Sequence, residues 1–185
     1  DSREAGLQVP QGRRVTAEEA PDAADSIGYP LVVKASSVEM LHKSEHGGVY
    51  LGLSSREEVC QALNQMKDLS ETFLVEEMVT DTVTEVLLGL QNDRQFGLSL
   101  TLGAGGIYTE LLEDTSVLLF PVSEDLIMES LEPLKLFKII QGWRGKPKGD
   151  LEALVKAVLD FARFAEHHHH KLVQAEINPL AILPE

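Results

Sequence analysis

Two apolar runs at residues 84–90 and 97–102 follow one another, divided by the turn residues Asn92-Asp93-Arg94. They read as two strands split by a turn. The rest of the chain follows suit. Strand-like runs at 30–35, 47–53, 73–79, 117–122 and 171–183 mix with helical stretches without a strict strand–helix alternation. The expected class is α+β, with two lobes built on partly antiparallel sheets. Helices are expected after Thr16, with acids in the first turn, and from Ser54, with Val59, Leu63 and Met66 as the apolar stripe. A third should start at Ser123, and a fourth should run over 150–166 with Leu151, Leu154, Val158, Phe161 and Ala165 on one face. Residues 36–46 read as a polar loop, and 142–149 as a basic loop bearing Gly and Pro.

The chain has 185 residues, 43% hydrophobic and 25% charged, which suits one domain or two small lobes. Acids outnumber bases 30 to 16, for a formal charge of −14. That field repels nucleic-acid phosphates and anionic membranes, so neither is an expected partner, whereas a divalent cation is a natural helper. No apolar run approaches the roughly 20 residues of a spanning helix. The single cysteine, Cys60, excludes an intrachain disulfide and fits an intracellular, cytoplasmic location. Residues 1–12 read as the tail of a preceding helical segment. The chain does not begin with Met, and a piece of a longer polypeptide is expected.

Four places hold residues suited to chemistry. Lys34 ends the apolar strand Leu31-Val32-Val33-Lys34-Ala35, where an ammonium needs an anionic partner such as a phosphate. Taken alone, a strand-end lysine whose head reaches water is the simpler reading. In Leu41-His42-Lys43-Ser44-Glu45-His46-Gly47-Gly48, the glycines permit close backbone approach, and His42 could accept and pass on a phosphoryl group. A solvated turn explains the same residues. Val75-Glu76-Glu77-Met78-Val79, with Glu85 beyond it, could offer backbone groups to a base edge and a carboxylate to ribose, or be a plain strand with solvated acids. In Ala175-Glu176-Ile177-Asn178-Pro179-Leu180, Glu176 and Asn178 share one strand face. Two hard oxygen donors suit Mg2+, which takes few protein ligands and completes its shell with phosphate oxygens; a polar pair before a proline turn is the alternative.

Together and in this order the segments resemble the ATP-grasp domain of NDP-forming acyl-CoA synthetases. These include the ADP-forming acetyl-CoA synthetases and, more distantly, the succinyl-CoA synthetase β chain. The resemblance runs through Gln95-Phe96-Gly97, Leu102-Gly103-Ala104-Gly105-Gly106-Ile107-Tyr108 and Gly142-Trp143-Arg144-Gly145-Lys146-Pro147, and covers nearly the whole chain. It implies an ATP-grasp fold with a nucleotide cleft between an N-terminal lobe at 13–80 and a C-terminal lobe at 81–185. By the same resemblance Lys34 meets the α/β phosphates, and Glu76, Glu77, Met78 and Val79 form the adenine hinge. Glu85 lies near the ribose, and Gly47, Gly48, Gly105 and Gly106 line the phosphate side. Arg144 makes a phosphate contact or a lobe-packing ion pair, Glu176 and Asn178 bind Mg2+, and His42 takes part in phosphoryl transfer with ADP or ATP. CoA-binding and ligase regions, on the same polypeptide or a partner subunit, are the implied partners, and an oligomer is expected of the full-length form.

The sequence departs from the family pattern at Glu45, where Asp is common, and at His46, where an apolar residue is common. A second metal carboxylate and a phosphate-contacting lysine are expected outside residues 1–185, so weak nucleotide affinity is expected of this stretch alone. The competing readings are a regulatory synthetase-like module of a protein lysine acyltransferase and a different ATP-grasp ligase, against which the His-Lys-Ser-Glu-His-Gly-Gly loop argues. Cys60, Phe137 and Trp143 are expected to pack rather than react. His167 to His170 should sit at a helix C-terminus, where positive charge is favoured.

Overall fold

The computed structural model describes residues 3–36, 47–106, 109 and 113–185. They form two compact units, Val9–Thr80 and Asp81–Glu185 together with residues 3–8.

The first unit contains β1 (Gly12–Thr16), α1 (Ala20–Ile27), β2 (Leu31–Ala35), β3 (Val49–Leu53), α2 (Arg56–Met66) and β4 (Thr72–Glu77). Its sheet runs β1-β4-β2-β3, every neighbour antiparallel. Alternation sends Leu31, Val33, Ala35, Phe73 and Val75 to one face, where α1 and α2 cover them. Ala20, Ala23 and Ala24 bring α1 close to the sheet, while α2 buries Val59, Ala62, Leu63 and Met66 at helical spacing. Ser55 caps α2 by accepting from the Glu58 N–H at 3.3 Å, and the Glu58 carboxylate returns to the Ser54 N–H at 2.7 Å. Cys60 lies beside the buried stripe but is exposed, which corrects the expectation that it packs as a small hydrophobe.

Arg56 ties the two helices, its guanidinium forking to Asp22 at 2.8 Å and Asp25 at 2.5 Å. The Tyr29 hydroxyl donates to the same Asp25 at 2.6 Å. Partial desolvation, and then the carboxylate it faces, push the Tyr29 phenol up to about 12. Its contribution to stability is present below the ordinary tyrosine value and is lost as pH rises from about 10 to 12. Absorbance titration of tyrosinate is expected to show one of the three tyrosines ionising near pH 12. Asp25→Asn should bring that residue back toward 10; three phenols titrating together near 10 in the parent protein would mean that the pair does not form in solution.

The second unit contains β5 (Thr84–Asp93), β6 (Gly97–Ala104), β7 (Thr115–Leu119), α3 (Glu124–Leu131), α4 (Lys135–Ile140), a 3-10 turn (Trp143–Gly145), α5 (Leu151–His168) and β8 (Gln174–Ile182). The sheet order is β7-β6-β5-β8, again wholly antiparallel. Asp150 caps α5 by accepting from the Ala153 N–H at 2.8 Å. The α5 stripe Leu154, Val158, Phe161, Ala162 and Ala165 packs on Val86, Leu88, Leu100 and Leu102 of the sheet. Burial of each large side chain there stabilises the unit by about 1.5–3 kcal/mol. Ala5 and Leu7, expected from the sequence to belong to a preceding helical tail, are buried in this core. Asn92 latches the far end of α5, donating from its side chain to the His169 carbonyl at 2.7 Å and the Leu172 carbonyl at 3.2 Å.

Two elements escaped the sequence reading: β1, and α4 in the stretch before the basic loop. Trp143 is 55% exposed, with the Arg144 guanidinium 5.6 Å from its ring centroid, so it is no core residue. Among the described residues no helix is long and apolar enough to cross a membrane.

Candidate functional site

In the first unit Lys34 and Glu76 alternate with the core residues Val33, Ala35 and Val75, so both point away from the helices. Lys34 stands opposite Leu74 and Glu76 opposite Val32, which makes the two a diagonal cross-strand pair. The ammonium meets the carboxylate at 2.5 Å, with the side chains 37% and 19% exposed. A lysine head simply reaching water, the simpler reading of the sequence, is thereby corrected. A phosphate arriving here would compete with Glu76 for the same charge.

The segment after β4 is partly committed. Glu77 donates its N–H to the Gln11 carbonyl at 2.8 Å and accepts from the Gln11 N–H through its side chain at 3.3 Å. Met78 donates to the Pro30 carbonyl at 3.1 Å. Val79 follows the strand, is half-exposed, and its N–H finds no partner among the described residues. Of the expected hinge, Val79 therefore has the open backbone donor. Gly48 is buried, and its carbonyl accepts from the Ala35 N–H at 2.8 Å, which fixes the glycine pair beside the end of β2. Gly47 has φ 69° and open space around it. His42, with Lys43, Glu45 and His46, lies outside the described residues.

In the second unit four of the expected residues come together. Gly105 donates to the Glu85 carbonyl at 2.9 Å, and Gly106 donates to Asn178 Oδ1 at 2.8 Å. Gly106 is left-handed at φ 67°, and a Cβ there would lie 1.7 Å from Glu85 Oε2. The carboxylate of Glu85 thus sits directly over the glycine turn, in space that only glycine leaves free. Glu176, two residues before Asn178 on β8, faces Gly89 across the ladder and is exposed. Neither Glu85 nor Glu176 makes an ion pair among the described residues.

The result is an uncompensated set of hard oxygen donors beside an open turn. No three His, Cys, Asp or Glu side chains converge among the described residues, so there is no all-protein cage. Asn178 Oδ1 keeps a second lone pair beside the one given to Gly106. The set fits Mg2+, which is held through one or two carboxylates and completed by phosphate oxygens.

Arg144 is not hydrogen-bonded to this cluster. It stands exposed at the tip of the basic loop with φ 54°. One residue of consequence had no sequence signal. Asp114 is buried, and its carboxylate accepts from the Lys135 and Leu136 N–H groups at 2.9 and 2.8 Å. Its carbonyl accepts from Ala104 at 2.9 Å, next to the glycine turn.

Comparison with known proteins follows the same lines. The family model of the ATP-grasp domain matches residues 3–185. Acetate–CoA ligase [ADP-forming] I of Archaeoglobus fulgidus is 31% identical over 96% of this chain and 27% of its own length. The ADP-forming acetate–CoA ligase II subunit beta of Pyrococcus furiosus is 27% identical over 96% of this chain and 79% of its own. The chain thus spans about a quarter of the first relative and most of the second. Among solved structures, the dinucleotide forming acetyl-coenzyme A synthetase 1 of Ca. Korarchaeum cryptofilum superposes with a TM-score of 0.87 at 31% identity. The match covers 99% of this chain and 82% of that one. That protein was captured with coenzyme A and Mg-AMPPCP, its phosphohistidine segment pointing towards the nucleotide binding site. On its sequence, its two antiparallel sheets and these matches, the chain belongs to the ATP-grasp domain family.

Proposed function

We propose that this chain is the nucleotide-binding domain of an NDP-forming acyl-CoA synthetase, exchanging a phosphoryl group between ADP/ATP and a histidine. The observation that carries the reading is the convergence of Glu85, the Gly105-Gly106 turn and Asn178, which sets a carboxylate without an ion pair and an amide oxygen with a spare lone pair on one turn. The relatives are acid–thiol ligases, which favours this over a regulatory module of a lysine acyltransferase.

Lys34 neutralises phosphate charge once released from Glu76, and the N–H of Val79 meets the base edge. Glu85 accepts from ribose hydroxyls. Gly47 leaves room for phosphates at the end of β2 beside Gly48, and Gly105 and Gly106 lie on the phosphate side in the second unit. Glu176 and Asn178 hold Mg2+, which when bound offsets phosphate charge. The neutral imidazole of His42 attacks the γ-phosphorus with its lone pair. An N–P bond forms as the bridging P–O bond breaks, and ADP leaves with the electron pair. Positioning and charge neutralisation supply most of the rate in such transfers.

Calorimetric titration with ADP and ATP, with and without Mg2+, tests the reading. Mg-dependent binding is expected. Asn178→Ala should weaken the Mg-dependent affinity by roughly tenfold or more while leaving metal-free binding unchanged. Equal affinity in parent and variant would remove Asn178 from the metal site.

A further inference from the structure

Residues 133–149 hold five of the chain's 16 lysines and arginines and no carboxylate, in a protein of net charge −14. Lys135, Lys138, Arg144, Lys146 and Lys148 are all exposed, and none makes an ion pair among the described residues. The nearest acids are spent or peripheral. Asp150 caps α5, and Glu185 meets Lys148 through its backbone N–H at 3.1 Å. In the same unit the exposed cations Lys156 and Arg163 both pair with Asp160.

The loop that carries these charges is built, not slack. Gly149 donates to the Ile140 carbonyl at 2.9 Å and closes the loop at its base. Gly142 packs so tightly that a Cβ would lie 2.9 Å from the Lys146 carbonyl oxygen. Arg144 holds a left-handed backbone at φ 54°, a conformation that costs a side-chain-bearing residue about 1–2 kcal/mol. An exposed Trp beside an exposed Arg on a rigid turn is the composition of a binding hot spot.

Its place in the unit matters as much. Gly149 bridges to Pro184, and a Cβ on it would lie 2.7 Å from Ile182, whose carbonyl accepts from Val83 at 2.8 Å. Glu85 is two residues further along β5, opposite Ala181. The basic loop therefore stands at the end of the β5–β8 ladder from which Glu85 projects.

We infer that the loop Gly142–Gly149, with Lys138, is the landing surface for an anionic segment of the synthetase that brings the phosphohistidine to this domain. The inference rests on the function proposed above. Two facts commit the occupant. About three quarters of the Archaeoglobus relative lies outside the matched stretch. In the Korarchaeum protein a phosphohistidine segment does point towards the nucleotide site. A phosphohistidine carries negative charge wherever it travels, and a fixed patch of unpaired cations steers it through a surface that otherwise repels it.

The test uses the complete synthetase. Lys138, Lys146 and Lys148 are replaced together by Gln, with Arg144 left in place. Phosphorylation of the companion histidine by labelled ATP is followed at low and high ionic strength, and Mg·ATP affinity is measured in parallel. At low salt the variant should transfer roughly tenfold more slowly, the parent's advantage should fade as salt rises, and nucleotide affinity should stay within about twofold. Unchanged transfer would make the loop a solvated surface. A parallel fall in affinity would assign it to the nucleotide. Either result overturns the inference while the proposed function stands, whereas a parent protein that binds no nucleotide overturns both.

Discussion

Gly105→Ala is expected to destabilise the second unit by about 3 kcal/mol, the upper end of the range for forcing a carbon into a packed site. A Cβ on Gly105 would lie 2.5 Å from the carbonyl carbon of Val86, 2.7 Å from its oxygen and 2.8 Å from the Leu87 nitrogen. These are backbone atoms of a strand paired on both sides, so they cannot swing away as a side chain would. The turn must move instead, breaking the bond from Gly105 to the Glu85 carbonyl and shifting Gly106 off Asn178. Gly89→Ala is the control, since its Cβ would meet only the Thr101 side chain at 3.5 Å, an ordinary contact. Urea unfolding of the three proteins decides the matter. A Gly105→Ala midpoint matching that of the parent would mean that the turn is not packed on β5 as described.

Asp114→Ala should cost about 2–4 kcal/mol, from two hydrogen bonds to a buried carboxylate at roughly 1.5–3 kcal/mol each, less the desolvation relieved by removing the charge. Its reach is wider than one cap. The neighbouring Leu134 supplies no side-chain cap to α4, so Asp114 does this from 21 and 22 positions away. Small domains are stable by only 5–15 kcal/mol, so the midpoint shift is easily read. Asp114→Asn, which keeps one acceptor, should recover part of the loss. A change in Asp114→Ala below about 0.5 kcal/mol, the scale of ordinary surface substitutions, would rule out the cap.

The elements that announced themselves in the sequence are those whose order is local. The stripe of α5 repeats Leu154, Val158, Phe161 and Ala165 over several turns, and the β5–β6 hairpin carries its own turn residues. The two missed elements lack such signals for physical reasons. In β1 only Val15 points into the core while Arg13 and Arg14 meet solvent, as an edge strand's residues do, so no alternation marks it. In α4 six residues are too few for a helical period, and the start signal lies in another part of the chain.

The candidate site divides similarly. Residue chemistry singled out Lys34, Glu176 and Asn178. That Lys34 holds Glu76, 42 positions away, and that Asn178 meets Gly106, 72 positions away, follows from strand pairing that no spacing displays. Glu85 stands out as a carboxylate suited to ribose and Gly106 through family resemblance, and only the folded turn shows that one shields the other.

The anchorage of Asp114 also bears on how such a chain can vary in length. The stretch from Thr115 to Leu134 leaves Asp114 and comes back to it, because Lys135 and Leu136 bind the carboxylate where the excursion began. An excursion clasped at its own base can be lengthened at its tip, between β7 and α3, without moving either the glycine turn or α4. Doubling a flexible tip costs only about 0.6 kcal/mol in closure entropy. Insertions after Phe120 should therefore be tolerated.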